Sequence, residues 1–120
     1  MKSLEHTEQV TLMQWWALAH QQFGIPEQLL FAIPNGGQRN IIVASKLKAE
    51  GVRAGVPDLF LAFPKKDAAG LFIEMKKAHG GRPSDKQKTM LEQLAEVGYK
   101  TVVCNGWIEA KAVIEEYLEP

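Results

Sequence analysis

The chain has few of the features that would set it apart from ordinary globular proteins. It has one cysteine, Cys104, so it can form neither an internal disulfide nor a cysteine-based zinc site, and this fits a reducing cytosol. It has no apolar run near the roughly 20 residues of a membrane span, and its first residues lack the apolar region of a signal peptide. No internal repeat or low-complexity stretch is present. These absences predict a soluble cytoplasmic protein without a membrane partner.

Length and composition predict one domain spanning residues 1–120. The 120 residues are 46% hydrophobic and 23% charged, which is typical of globular domains near the commonest domain size. This composition also argues against long disorder, collagen and coiled coil.

Neither sign of charge is in excess overall, because the formal net charge is zero. The charges are nevertheless segregated along the chain. From Arg39 to Lys88 there are 11 Lys/Arg against 5 Asp/Glu, and the flanks together hold 3 Lys/Arg against 9 Asp/Glu. Affinity for phosphates depends on the local patch rather than on the sum. The central segment, at +6, is therefore compatible with a nucleic-acid partner.

Hydrophobic periodicity predicts four helices and four strands in the order α-β-α-β-β-α-β-α. The helices are expected over residues 4–23, 38–50, 84–98 and 107–118, and the strands over residues 29–33, 57–63, 71–76 and 99–104. The second and third strands form a hairpin. This order predicts an α/β fold with a mixed central sheet flanked by helices on both faces.

The hairpin carries the clearest chemical signal. Because side chains alternate across a strand, Asp58, Glu74 and Lys76 are expected on one face, near one end of a mostly apolar surface. One interpretation is an Asp58–Lys76 ion pair with an exposed Glu74. The other is a metal site, because two carboxylates and the backbone carbonyl of Met75 are hard oxygen ligands suited to Mg²⁺ or Mn²⁺. A lysine beside them could orient or activate the attacking water for phosphodiester hydrolysis.

Pro57-Asp58 followed by Glu74-Met75-Lys76 matches the signature of PD-(D/E)XK nucleases. The surrounding sequence resembles, in order, the VRR-NUC domain of small stand-alone phage and bacterial nucleases. The resemblance rests on Pro34-Asn35-Gly36-Gly37-Gln38-Arg39, Gly51-Val52-Arg53-Ala54-Gly55-Val56-Pro57-Asp58, Ile73-Glu74-Met75-Lys76, Gly81-Arg82-Pro83-Ser84-Asp85-Lys86-Gln87 and Gly98-Tyr99. Ala54 stands where the family has its second name-giving arginine.

The resemblance implies a restriction-endonuclease-like PD-(D/E)XK core and a set of catalytic residues. Asp58 and Glu74 would bind the metal with the Met75 carbonyl, and Lys76 would serve the water or the phosphate. Gln87 would lie near the active site, although Ser84-x-x-Gln87 also has the form of a capping box.

A glutamate of the first helix is also expected in such a site. Glu8 is the preferred candidate, because it shares the inward stripe of Leu12 and Trp16, and Glu5 is the second choice. The alternative for either residue is a first-turn glutamate favoured by the helix dipole.

A further set of residues is predicted to contact DNA phosphates around the site. These residues are Asn35, Gly36, Arg39, Arg53, Lys77, Arg82, Lys86 and Lys88. The alternatives are a simple turn at Asn35-Gly36 and solvated charges elsewhere.

The function implied is a Mg²⁺- or Mn²⁺-dependent DNA endonuclease that acts as a homodimer on four-way Holliday junctions, in the cytoplasm of a bacterium or a phage-infected cell. The alternatives are a monomeric flap or end-processing nuclease and a catalytically silent DNA-binding module. Trp15 or Trp16, together with Trp107, could supply the dimer contact, unless the fold buries them.

Overall fold

The computed structural model describes residues 2–34 and 41–120, with side chains from Leu4 onward in the first helix. The predicted order of helices and strands is confirmed within these residues. The helices are α1 (Lys2–Ala19), α2 (Ile41–Ala49), α3 (Asp85–Glu96) and α4 (Trp107–Tyr117). The strands are β1 (Leu30–Ala32), β2 (Leu59–Leu61), β3 (Leu71–Lys76) and β4 (Lys100–Asn105).

The strands form one mixed sheet in the order β1-β2-β3-β4. β1 and β3 each pair antiparallel with β2, whereas β3 and β4 run parallel. The parallel pair needs a crossover, which α3 provides. The α/β fold with a mixed sheet is confirmed.

The hydrophobic core lies between one face of the sheet and helices α1 and α4. Leu12 and Trp16 of α1 and Ile114 of α4 are fully buried against Leu59 and Ile73 of the sheet. The helix α3 packs along β4 and, through Gln87, reaches the opposite face of β3. Helices therefore flank both faces of the sheet, as expected.

Several elements are shorter than the apolar patterns predicted. α1 ends at Ala19 because His20–Phe23 form a 3-10 turn, closed by Gly24 in the left-handed conformation. β2 begins only at Leu59, since Pro57 has no N–H to donate to the ladder. Pairing nonetheless continues beyond the strand, because the Ile33 amide donates to the Asp58 carbonyl.

The three tryptophans are buried or partly buried in the folded chain. Trp16 is fully buried, and its Nε1 donates to the Glu27 carbonyl at 2.8 Å. Trp15 and Trp107 are half-buried against the core, and the Lys111 ammonium lies 5.7 Å from the centre of the Trp15 ring. Trp16 is therefore unavailable for a dimer contact, whereas Trp15 and Trp107 are partly covered and a contact through them stays a prediction.

Helix α2, like α3, has no buried residue. Ile41 is 84% exposed and Ile42 is 71% exposed. We refer to Ile41 and Ile42 as the exposed apolar surface of α2. Leu18, Val97 and Ile108 are other highly exposed hydrophobic residues among those described. No helix in the described part of the chain has the length and apolar character that a membrane span requires.

Candidate active site

Two carboxylates meet at the end of the β2–β3 hairpin. The antiparallel pairing of Leu59 with Ile73 places Asp58 across from Glu74. The Met75 amide donates a hydrogen bond of 2.7 Å to Asp58 Oδ2, which holds that side chain against β3. Asp58 is half-buried, whereas Glu74 is only 2% exposed.

Glu74 is held by two donors on the same oxygen. Lys76 Nζ lies 3.3 Å from Glu74 Oε2, and Gln87 Nε2 donates to that oxygen at 2.9 Å. The other oxygen, Oε1, is buried without a hydrogen-bond partner among the described residues. The interpretation of an Asp58–Lys76 ion pair with an exposed Glu74 is therefore wrong, because the lysine pairs with Glu74 and Glu74 is buried.

Gln87 completes a helix cap and also contacts Glu74, whereas its catalytic role stays a prediction. Its backbone N–H donates to Ser84 Oγ at 3.2 Å, and its Oε1 accepts from the Ser84 amide at 2.8 Å, which completes a capping box at the start of α3. Because the side-chain carbonyl is used in the cap, the amide NH₂ is directed at Glu74. The helix cap thus fixes a donor of the active site.

The pKa values of both carboxyls are raised. Burial, and then the charge of Asp58, raise the pKa of Glu74 from 4.5 to about 7, against the opposing effect of Lys76. Burial also raises the pKa of Asp58, against the Met75 amide. Near neutral pH the metal-free pair therefore tends to retain a proton, which a bound cation could replace.

The residues fit a divalent cation. An unpartnered buried carboxylate oxygen beside a second carboxylate is a costly arrangement that a cation would relieve. Mg²⁺ keeps several waters and commonly uses one or two carboxylates together with a substrate phosphate. Two carboxylates are what the site offers, because the described residues contain no cluster of three His, Cys, Asp or Glu side chains. The Met75 side chain is buried in the core, so only its carbonyl could join the ligands, and this stays a prediction.

Glu8 of the first helix, the preferred candidate for the site, contacts the start of α4. Glu8 Oε1 accepts a 2.7 Å hydrogen bond from the Trp107 amide at the start of α4, where the N-cap residue Gly106 has no side chain to do so. The α1 residue whose charge raises the pKa of Asp58 is Glu5. A catalytic role for Glu8 or Glu5 stays a prediction.

The predicted DNA-contacting residues that are described lie on loops and on the first turns of α3. Arg53, Arg82, Lys86 and Lys88 are exposed and Lys77 is half-buried. Asn35, Gly36 and Arg39 lie outside the described residues.

Tight packing holds the loop of Arg53 against α3. Gly55 in this loop has a φ of +86°, and a Cβ there would lie 2.7 Å from the Lys86 carbonyl oxygen. A side chain at this position would therefore collide with the backbone of α3, and only glycine allows the approach.

Sequence reasoning missed Asn105 as part of the site's support. Its Nδ2 donates to the carbonyls of Lys77 and Gly81, at 3.0 and 2.9 Å. The side chain thereby ties the loop after β3 to β4. The only sequence signal at this position is the Asn105-Gly106 pair, which is typical of a turn.

The fold and site define a protein of the PD-(D/E)XK type, with paired carboxylates on adjacent strands and a lysine two residues after the second. The family model of the VRR-NUC domain matches residues 2–107, and this chain belongs to that family. A solved structure described as a VRR_NUC domain protein is 31% identical, with a TM-score of 0.81 over 95% of this chain and 87% of that one. No curated protein matches the chain. The family resemblance drawn from the sequence is confirmed, and it supports a nuclease-type function.

The raised pKa of Glu74 predicts a pH dependence of stability. In the folded protein its pKa is about 7 instead of 4.5, so between these values the folded state binds more protons than the unfolded state. The free energy of unfolding of the metal-free protein should therefore fall as pH rises from about 4.5 to about 7. Urea unfolding in EDTA at about pH 5 and about pH 8 measures this fall.

Glu74→Gln should remove most of the fall, because an amide does not titrate. Glu92→Gln, at an exposed position of α3, is the matched control and should behave like the wild type. An equal free energy of unfolding of the wild-type protein at the two pH values would contradict the raised pKa of Glu74.

Proposed function

We propose that this chain is a divalent-metal-dependent DNA endonuclease that hydrolyses phosphodiester bonds. The observation that carries the proposal is the buried Glu74, with one oxygen unpartnered, beside Asp58 and in contact with Lys76. Membership of the VRR-NUC family supports a nuclease that acts on DNA.

A bound Mg²⁺ or Mn²⁺ would polarise a phosphate oxygen and lower the pKa of a water molecule. Asp58 and Glu74 are the residues that would hold it. Gln87 orients the Glu74 carboxylate through the hydrogen bond to Oε2. The carboxylate therefore needs little reorientation to bind the metal ion. Lys76 places a positive charge where negative charge grows on the phosphate, or donates to the attacking water. The water oxygen forms the new bond to phosphorus and gives up a proton, the ester bond to the leaving oxygen breaks, and that oxygen takes up a proton in exchange.

Substitution of the carboxylates should abolish cleavage and preserve the fold. Asp58→Asn and Glu74→Gln keep the size of each side chain and remove one buried negative charge, so the metal-free protein should be at least as stable. Lys76→Met should still bind metal but lose about 10²- to 10³-fold in turnover. Plasmid nicking in Mg²⁺ and in EDTA, together with thermal unfolding, measures both effects.

Lys66→Ala is the control for these three variants, because Lys66 is an exposed lysine in the turn at the other end of the hairpin. It should cleave at the wild-type rate. A wild-type rate for Asp58→Asn or Glu74→Gln would remove the assignment of the metal site, and cleavage unaffected by EDTA would remove the metal dependence.

Binding to DNA is proposed to be largely electrostatic and to involve the first turns of α3. Lys86 and Lys88 are exposed there, next to the cap that holds Gln87 near Glu74. Phosphates bound by lysines release counterions, so affinity falls linearly with salt on logarithmic axes.

The double variant Lys86→Ala/Lys88→Ala should flatten the salt dependence of DNA binding by about 2 in slope, because each phosphate contact contributes about 0.9. The measurement is a binding titration of the Asp58→Asn protein in Ca²⁺ at several salt concentrations. Lys66→Ala/Lys100→Ala, with two exposed lysines distant from the site along the strands, is the control and should leave the slope unchanged. A slope flattened by Lys66→Ala/Lys100→Ala and not by Lys86→Ala/Lys88→Ala would place the DNA-binding surface at the far end of the sheet.

We further propose that the active form is a homodimer that makes paired nicks in four-way junctions. One chain offers one such site among its described residues, and two-fold symmetry would match a second site to the symmetry of the junction. The exposed apolar surface of α2 supports this, because Ile41 and Ile42 leave hydrophobic area that a second copy could cover.

Light scattering should give a mass near 27 kDa, twice the 13.4 kDa of one chain. Ile42→Asp should yield a monomer that nicks one strand at a time, because a charge would be buried in the interface. Val97→Asp, at a position with the same 71% exposure, is the control and should stay dimeric. A wild-type monomer that cuts flaps better than junctions would favour the alternative of a monomeric flap or end-processing nuclease.

A further inference from the structure

Four aromatic rings form a row on the sheet face that carries the candidate active site. Phe60 stacks on Phe72 with 4.3 Å between ring centres, and Phe31 meets Phe60 edge-on at 5.8 Å. Tyr99 meets Phe72 and Phe60 edge-on at 5.2 and 5.9 Å. We refer to these four residues as the aromatic row.

The aromatic row is separate from the hydrophobic core. The core lies on the other face of the sheet, with Leu59, Leu61 and Ile73, and none of the four rings belongs to it. The other three residues of the row are half-buried, whereas Phe31 in the edge strand β1 is 42% exposed. The exposed ring is therefore not required to fill the core, and its position needs another explanation.

The row is built to keep its rings in place. Gly70 is buried beside Phe60, and a Cβ at this position would lie 2.6 Å from Phe60 Cζ. The ring thus occupies the space that any other side chain at position 70 would take. With Phe60 fixed between Phe72 and Gly70, the edge-on contact in turn limits the orientations open to Phe31.

The row lies next to the carboxylates. Phe60 follows Asp58 by two residues and Phe72 precedes Glu74 by two, so each pair shares a strand face. Phe31 pairs with Phe60 in the neighbouring strand, and Phe60 lies two residues from Asp58. The Cα atoms of Phe31 and Asp58 are therefore about 8 Å apart. This separation is on the order of two stacked nucleotides.

We propose that Phe31 stacks on an unpaired base of the DNA strand bound at the active site. A ligand that reaches both places must offer a phosphate at the carboxylate end and a flat apolar surface about 8 Å away, and an unpaired nucleotide strand has both. Aromatic rings on a sheet are a known type of platform for bases in single strands. Bases inside a duplex have both faces covered, so the contact selects DNA with an interrupted helix beside the cleaved bond.

This inference rests on the proposed nuclease function and adds a specificity residue to it. The Phe31 side chain does not touch the reacting atoms, so its loss should change which DNA is preferred without removing activity. The branch point of a junction, a flap or a gap would supply the unpaired base.

The test uses 2-aminopurine, a fluorescent base whose emission is quenched by stacking, placed at an unpaired position of a gapped duplex. Binding of the wild-type protein in Ca²⁺ should lower the emission of 2-aminopurine. Phe31→Leu should bind the same DNA with little change in emission. In Mg²⁺, the ratio of kcat/KM for gapped over fully paired DNA should fall about 5- to 100-fold in Phe31→Leu, since one base stacked on an aromatic ring contributes on that scale. Phe31→Tyr retains an aromatic ring and should restore both readouts.

Leu18→Ala is the matched control, because Leu18 is a highly exposed apolar residue of α1. It should leave emission and substrate ratio at their wild-type values. Thermal unfolding shows that each variant is folded, and cleavage of fully paired DNA by Leu18→Ala should match the wild type.

Three results would overturn the inference, and a fourth would remove the function on which it rests. An unchanged substrate ratio in an active Phe31→Leu protein would remove the stacking role and leave the nuclease function standing. Conversion of a dimer to a monomer by Phe31→Leu would assign the ring to an interface between copies of the chain. Absence of cleavage of every DNA by the wild-type protein would remove the proposed function, and unquenched 2-aminopurine in the same protein would remove the stacking separately.

Discussion

The hydrogen bond from the Met75 amide to Asp58 is the contact on which the geometry of the site depends. It forms because β2 and β3 run antiparallel with Leu59 opposite Ile73. The same register brings Asp58 beside Glu74, so two groups of like charge share a largely buried place. Burial raises the pKa of both groups, and this electrostatic cost is the feature that a cation would relieve.

Contacts from several elements hold this unfavourable pair in place. Lys76 and Gln87 both contact Glu74 Oε2, one from β3 and the other from the capped first turn of α3. Asn105 ties the loop after β3 to β4 through two backbone carbonyls. The capping box therefore has a second consequence, because it stabilises a helix and also directs an amide at the carboxylate.

The two faces of the sheet have different roles. One face packs against α1 and α4 and supplies the hydrophobic core. The other carries the carboxylates, the lysine and the aromatic row, with α3 alongside β4. Ile41 and Ile42 of α2 and Phe31 are exposed hydrophobic residues, so the surfaces proposed for a second copy and for an unpaired base lie outside the core. Membership of the VRR-NUC family agrees with a nuclease built on this plan.

Local rules were sufficient for much of this protein. Strand alternation placed Asp58, Glu74 and Lys76 on one face, because side chains on a strand alternate with a period of two. The Ser84 and Gln87 spacing predicted the helix cap, and the motif order predicted the family. The positions of the helices and strands followed from periodicity, with errors at their ends where Pro57 and a 3-10 turn interrupt the pattern.

The remaining features were decided by tertiary structure, because periodicity reports the face of a residue and not what covers that face. The packing of α3 set the pairing of Gln87 with Glu74, and the strand register buried Glu74 beside Asp58. Because α1 packs against α4, the Glu8 carboxylate accepts a hydrogen bond from the Trp107 amide. The aromatic row joins residues from all four strands or their ends, so no local spacing indicated it. The sequence thus determined which polar residues share one face of the hairpin, whereas the tertiary structure decided their partners and the exposure of each one.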